Sequence, residues 1–234
     1  MKKSILLLTG LLLFTQVIHS QNANPNNADR WIDQIYGYYA DDERSFPAPG
    51  GILFVGSSTM RIWAKDIDQY FPDHYVFSRG FGGACIREIL YYMPRIVWAY
   101  KPAQIVLYAG ANDLSRGASK EQVLEDIRCF VRMCQIQLPG VKIILPSFRT
   151  SPNSLKRHET NLWLNERLKA FCESSTDVDY VDVSSMMYGA DGNLRRELYQ
   201  EDGIHLMPEA YRMFADKITP LLVNNKRYDW MLNH

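Results

Sequence analysis

The chain has no excess of charge of either sign. Its 26 basic residues balance 26 acidic ones, so composition gives no reason to expect nucleic acid as a partner. Cysteine is scarce: Cys85, Cys129, Cys134 and Cys172 are all there is, and they do not have the paired spacing of a zinc site. Cys129 and Cys134 lie five apart on a predicted helix and so do not share a face; the four read as buried free thiols. No clustered metal ligands and no cofactor motif occur, so none is expected. A second long apolar run is missing, which leaves no candidate for stable membrane insertion of the mature chain. No repeat and no linker divides the sequence, and residues 29–234 read as one domain. Only five histidines are present, which narrows any search for a general base.

The one long apolar run is at the amino terminus. Lys2 and Lys3 precede the stretch from Ser4 to Ile18, and Ser20 offers a small residue before Gln21. That is the pattern of a secretory signal peptide over residues 1–20, with an apolar segment shorter than a bilayer span of about 20 residues. Residues 21–28 are a polar, flexible leader. Cleavage would leave 24 of the 26 basic residues against 26 acidic ones and send the product to the periplasm or the exterior.

The remainder alternates between two periodicities. Asp29 reads as the cap of a helix through Tyr39, with Trp31, Ile35 and Tyr38 on one face. Ile52-Leu53-Phe54-Val55, bounded by Gly51 and Gly56, is a short strand buried on both faces. Residues 58–70 are helical in part, 74–78 a second strand, and 86–100 a helix that Pro94 must kink or divide. Residues 104–109 carry the clearest strand pattern. Ser119 with Gln122 opens a helix to about Leu138 as a capping box, and 141–145 is the fourth strand. A polar stretch from Ser147 to Ser154 leads to a helix ending near Cys172. Residues 178–183 form the fifth strand, 184–207 a long loop, and Pro208 opens a last helix to about Asn224. Strands alternating with helices imply an α/β fold with a parallel sheet covered on both faces.

Chemistry is suggested at the loops after the strands, where open α/β sheets bind ligands. Ser58 follows the first strand, and a serine hydroxyl needs a base before it becomes a nucleophile. Of the histidines, His19 falls in the signal peptide, His74 begins a strand at the opposite end of the sheet, His158 sits in a charged run that reads as a solvated helix face, and His234 is the last residue. His205 remains, with Asp202 three residues before it. A carboxylate there could orient the imidazole; a plain turn could equally account for the pair. Donors for an oxyanion are offered by the Gly82-Gly83 loop and by the Asn112 amide, although glycines and Asn-Asp pairs are also common turn residues. An ordinary α/β-hydrolase elbow, Gly-x-Ser-x-Gly, is absent because Met60 stands where the second glycine belongs.

Gly56-Ser57-Ser58, Gly80-Phe81-Gly82-Gly83, Gly110-Ala111-Asn112-Asp113 and Asp202-Gly203-Ile204-His205 occur in this order within residues 51–211. In these blocks the chain resembles the SGNH hydrolases, the GDSL-type esterases and lipases. The resemblance implies Ser58 as nucleophile, His205 as general base and then acid, and Asp202 as its orienting carboxylate. It implies an oxyanion hole made of the Ser58 and Gly83 N–H groups and the Asn112 side chain. It also implies a three-layer α/β/α flavodoxin-like sandwich with five parallel strands in the order 2-1-3-4-5. The family's Gly-Asp-Ser-Leu reads Gly-Ser-Ser-Thr here, which makes Ser57 a rival nucleophile; the register of the block selects Ser58. The residues around the blocks are similar to platelet-activating-factor acetylhydrolase members, which implies small acyl groups. An exported serine esterase acting on short O-acyl esters, acetyl above all, is the expectation. Export, together with Trp63, Phe81 and Tyr188 near the expected mouth, suggests a glycan ester as substrate. A lysophospholipase or thioesterase is the alternative within enzymes, and the polar loop 147–160 speaks against its apolar groove. A non-catalytic carbohydrate-binding module on the same fold is the alternative outside them.

Overall fold

The computed structural model describes residues 30–225. The signal peptide, the leader, the Asp29 cap, His19 and His234 lie outside the described residues.

Strand β1 (Ile52–Gly56) is buried at every position because it has a neighbour on each side. It pairs in parallel with β2 (Val76–Ser78), Ile52 opposite Val76, and with β3 (Gln104–Tyr108), Ile52 opposite Gln104. Next come β4 (Lys142–Pro146), with Lys142 opposite Gln104, and β5 (Val178–Val181), with Val178 opposite Ile143. The order is β2-β1-β3-β4-β5, all parallel, as the resemblance implied.

Side chains alternate across the pleat, so each strand feeds two cores. Leu53, Val55, Ile105, Leu107, Ile143 and Leu145 face one side. There they meet α1 (Ile32–Arg44), α4 (Ile86–Ile96), α6 (Lys120–Gln137) and α7 (His158–Glu173) through residues such as Ile35, Ile89, Phe130 and Leu164. Ile52, Phe54, Val106 and Ile144 face the other side. They pack on α2 (Ser58–Trp63), α3 (Ile67–Tyr70) and α8 (Pro208–Ile218) through Met60, Trp63, Ile67 and Phe214. Two helical layers thus enclose the sheet. Among the described residues no helix is long and apolar enough to cross a membrane.

Several boundaries differ from the sequence reading. Helix α1 runs on to Arg44 rather than ending at Tyr39, and its last turns place Asp42 in an ion pair with Arg79 of the loop after β2. Pro94 stays inside α4, and the division falls at Val97, after which a 3-10 turn covers Trp98–Tyr100. Strand β2 begins at Val76, and β5 ends at Val181. The last helix stops at Ile218 and passes into a 3-10 turn over Thr219–Leu221, where Pro220 has no N–H to continue the α-helical bonding. Ser119 caps α6 by accepting from Gln122 N–H at 3.1 Å, but the Gln122 side chain turns to Asp126 at 2.7 Å, so half of the capping box forms. All four thiols are free; Cys85, Cys134 and Cys172 are buried and Cys129 half-buried. Burial pushes the Cys172 thiol up to about 12.

Candidate active site

The site lies where β1 and β3 end. Gly56 closes β1 so near its neighbour that a Cβ there would lie 2.1 Å from the Tyr108 carbonyl oxygen. Only glycine permits that approach. Ser57 is buried, and its N–H donates to the same carbonyl at 3.3 Å. The chain then turns into α2, with Ser58 as its first residue. A first-turn amide has no acceptor within its own helix, so the Ser58 N–H remains available beside its own hydroxyl.

Ser58 Oγ lies 3.0 Å from His205 Nε2. The other imidazole nitrogen, Nδ1, is in a short hydrogen bond with Asp202 Oδ2. Asp202 Oδ1 accepts from the Ile204 N–H at 2.8 Å and from the His205 N–H at 2.9 Å. The Asp-x-x-His spacing follows from this turn. One carboxylate oxygen caps the amides two and three residues on, and the other is left facing the imidazole of the third residue. The His205 backbone bond, supported by the Ile204 amide and the imidazole against the opposing cost of desolvation, holds the Asp202 carboxyl down at about 2.

Residues that the sequence reading treated only as a polar loop hold this turn from below. Asn153 N–H donates to Gly203 O at 3.2 Å, and its side-chain amide donates to Asp202 O. Arg149 Nη2 donates to Ile204 O at 2.9 Å, with its guanidinium over the Tyr199 ring. The only signal of this in the sequence is that both residues follow β4 at the active edge.

Gly83 and Asn112 lie in the segments that follow β2 and β3. Gly83 adopts a φ of +74°, in the left-handed region that favours glycine. Asn112, in the short helix α5 (Ala111–Ser115), donates through Nδ2 to Ala84 O at 3.0 Å. An amide nitrogen carries two hydrogens, so one remains. The next residue, Asp113, is buried and accepts from the Ile86 N–H at 3.0 Å, which ties α5 to the start of α4.

Three expectations change. Trp63 and Phe81 are 1% and 0% exposed; they are core residues and offer no face for stacking on a sugar. Tyr188 stays partly exposed, and its hydroxyl lies 3.1 Å from His158 Nδ1. His158 is not on a solvated face, since the 3-10 turn Pro152–Arg157 leads it back to within 3.0 Å of Thr150 Oγ1.

A hydroxyl against an imidazole whose far nitrogen faces a carboxylate can surrender its proton as it attacks an acyl carbon. Solved structures with the same fold include a GDSL-like lipase from Bacteroides thetaiotaomicron VPI-5482, 20% identical with a TM-score of 0.67 over 80% of this chain and 97% of that one. A platelet-activating-factor-like protein from Streptococcus pneumonia is 18% identical, with a TM-score of 0.71 over 82% and 92% of the two chains. A mutant of an acetyl-xylooligosaccharide esterase from Geobacillus Stearmophilus is 15% identical, with a TM-score of 0.59 over 74% and 94%. No curated protein matches the chain by sequence. The profile of the GDSL-like Lipase/Acylhydrolase family, however, matches residues 36–213, and with that span the chain belongs to this family of serine ester hydrolases.

Proposed function

We propose that this is an exported esterase that removes short acyl groups, acetyl above all, from hydroxyls of a carbohydrate through an acyl-enzyme on Ser58. The observation that carries the mechanism is the 3.0 Å approach of Ser58 Oγ to His205 Nε2, continued through Nδ1 to Asp202. Ser58 Oγ attacks the ester carbonyl carbon and gives its proton to His205 Nε2. The oxyanion that forms is met by the Ser58 and Gly83 N–H groups and the free hydrogen of the Asn112 amide. His205 then protonates the leaving alcohol oxygen, and the ester bond breaks. Water attacks the acyl-enzyme, loses a proton to His205, and Ser58 departs with that proton. Asp202 keeps the tautomer and stabilises the imidazolium.

The preference for small acyl groups is supported by the polar residues of the segment after β4. Arg157 Nη1 donates to Ser115 Oγ at 2.9 Å, which links the turn after β4 to α5 beside Asn112. The carbohydrate is supported by the amino-terminal export pattern and by the fold shared with an acetyl-xylooligosaccharide esterase. One observation favours the lipid or thioester reading: Ile204, next to His205, and Leu155, in the turn that braces it, are 47% and 50% exposed. A p-nitrophenyl ester series from acetate to palmitate, run on the mature protein and on Ser58→Ala, separates these readings. The expected rate peaks at acetate and vanishes in the variant, and release of acetate from acetylated xylooligosaccharides follows. A peak at long chains would replace the glycan reading with the lipid one. Ester turnover that survives in Ser58→Ala would sink the mechanism.

A further inference from the structure

The loop from Arg79 to Ile86 crosses the active edge between β2 and α4, and its amides are almost all engaged. Those of Arg79 and Phe81 donate to Phe54 O and Gly56 O at 2.9 and 3.1 Å, and that of Ala84 to Phe81 O at 3.3 Å. The Gly80 amide reaches Ser78 Oγ at 3.4 Å, and the Cys85 amide Glu88 Oε2 at 2.8 Å. The Ile86 amide donates to Asp113, and the Gly82 amide donates to Gln34 Oε1 at 2.9 Å. Gly83 is the exception: no described residue accepts from its N–H.

A lone free amide flanked by glycine is not fixed by its own backbone. The peptide plane itself is rigid, but it can swing about ψ of Gly82 and φ of Gly83, and glycine opposes neither rotation. The neighbouring planes must therefore be held from outside. Gln34, on α1, holds the plane before. Arg116, just after α5, holds the plane after: its Nη2 donates to Gly83 O at 2.8 Å and its Nη1 to Cys85 Sγ at 2.8 Å. Burial, with Asp113 adding to it, pushes the Cys85 thiol up to about 12, so that sulfur is a neutral acceptor at ordinary pH. Trp31 closes the remaining side, with its ring 3.2 Å from where a Gly83 Cβ would stand. Trp31 and Gln34 precede residue 36, where the family match begins.

We propose that Gln34 and Arg116 are positioning residues that hold the peptide groups on either side of the Gly83 N–H and so keep that donor turned to the cleft. The inference rests on the reading of Gly83 as an oxyanion donor. Such donors accelerate the reaction only when fixed in advance of it, and a misplacement of about 1 Å can cost on the order of 100-fold.

The test uses the mature protein with p-nitrophenyl acetate and compares Arg116→Ala, Arg116→Lys, Gln34→Ala and Ser58→Ala. Phenylboronic acid serves as a second probe. Ser58 Oγ bonds to its trigonal boron, the serine proton passes to His205, and the boron becomes tetrahedral and anionic like the intermediate. Arg116→Ala and Gln34→Ala should each lower kcat by about 10- to 100-fold with KM within about twofold. The boronate inhibition constant should rise in parallel while the thermal midpoint holds. Arg116→Lys keeps the charge but lacks the fork, and should restore only part of the rate. If Ser58→Ala is inactive while both alanine variants keep the parent kcat and boronate affinity, the positioning role is overturned and the reading of Ser58 survives. A rate loss that follows a falling thermal midpoint, with boronate affinity per folded molecule unchanged, overturns it also. Turnover in Ser58→Ala overturns the underlying reading instead. Should Arg116→Ala fail to fold, Gln34→Ala, at a half-buried position on α1, decides alone.

Discussion

Asp202 divides its two oxygens between the backbone and the imidazole. Asparagine would keep one acceptor for the amides but lose the charge, and it could present a donor to Nδ1, which selects the wrong tautomer. Asp202→Asn should therefore lower kcat by about 10³- to 10⁴-fold, with a far smaller change in KM; steady-state kinetics on a p-nitrophenyl ester checks this. The Asp202 carboxyl is held at about 2. Its folded value lies below the ordinary one, so what it contributes is present above about pH 4 and is lost as pH falls toward 2. A loss of rate on acidification at higher pH thus belongs to another group. Replacing Asp202 by Asn should not abolish that acid limb in the residual activity, and its disappearance from the pH–rate profile would contradict the assignment. At this scale the local part of the site was legible. Asp202 and His205 sit three apart in one turn, and Ser58 ends a recognisable strand. Arg149, Asn153, Gln34 and Arg116 were not legible, because each acts on a backbone group some 30 to 55 residues away, and a single amide or guanidinium carries no local pattern that names so distant a partner.

The elements follow local chemistry where that chemistry has no competitor. Ser119 is exposed, and its hydroxyl satisfies the Gln122 amide at the start of α6. Ser119→Ala should cost about 1 kcal/mol of stability, read from the urea midpoint, with esterase activity unchanged. Where tertiary contacts compete, the local signal is overridden. The Gln122 side chain leaves the cap for Asp126, which in turn pairs with Arg87 of α4 at 3.0 Å. His158 reads as a charged surface position, yet the turn before α7 folds it onto Thr150 and Tyr188. Trp63 and Phe81 read as mouth aromatics, yet each fills a core on its own side of the sheet.

At the scale of the whole molecule, the buried charges of Arg79 and Asp113 bear on stability in opposite ways. Arg79 lies under α1, ion-paired with Asp42, and its Nε donates to the Tyr100 hydroxyl at 2.8 Å. The Tyr100 hydroxyl donates in turn to Asp42 Oδ2 at 2.6 Å. Asp42→Ala would leave the guanidinium buried without its counter-charge, at a cost of about 3–5 kcal/mol; chemical denaturation checks this. Asp113 is the opposite case. Burial raises its carboxyl to about 6 from the ordinary 3.8, despite the Ile86 amide that favours the ion. Between those two values the folded chain holds its proton more tightly than the unfolded chain does, so this group's effect on stability turns unfavourable as pH rises through that window. Asp113→Asn should flatten that decline, as followed by denaturant midpoints from pH 4 to 7.

The order of strands and helices, and the small-residue loops that end the strands, were determined by the sequence alone. Periodicity and turn chemistry act over a few residues and need no partner. The four blocks sit at those loops, so Ser58, Asp202 and His205 could be picked out as candidates before any contact was known. Which face of the sheet each aromatic fills, and which side chains brace the Gly83 amide and the Asp202 turn, only the tertiary structure decided. Those outcomes depend on the parallel register of five strands and on the packing of α1 against the loop after β2. Both are interactions between segments distant in sequence, whose geometry no local pattern encodes.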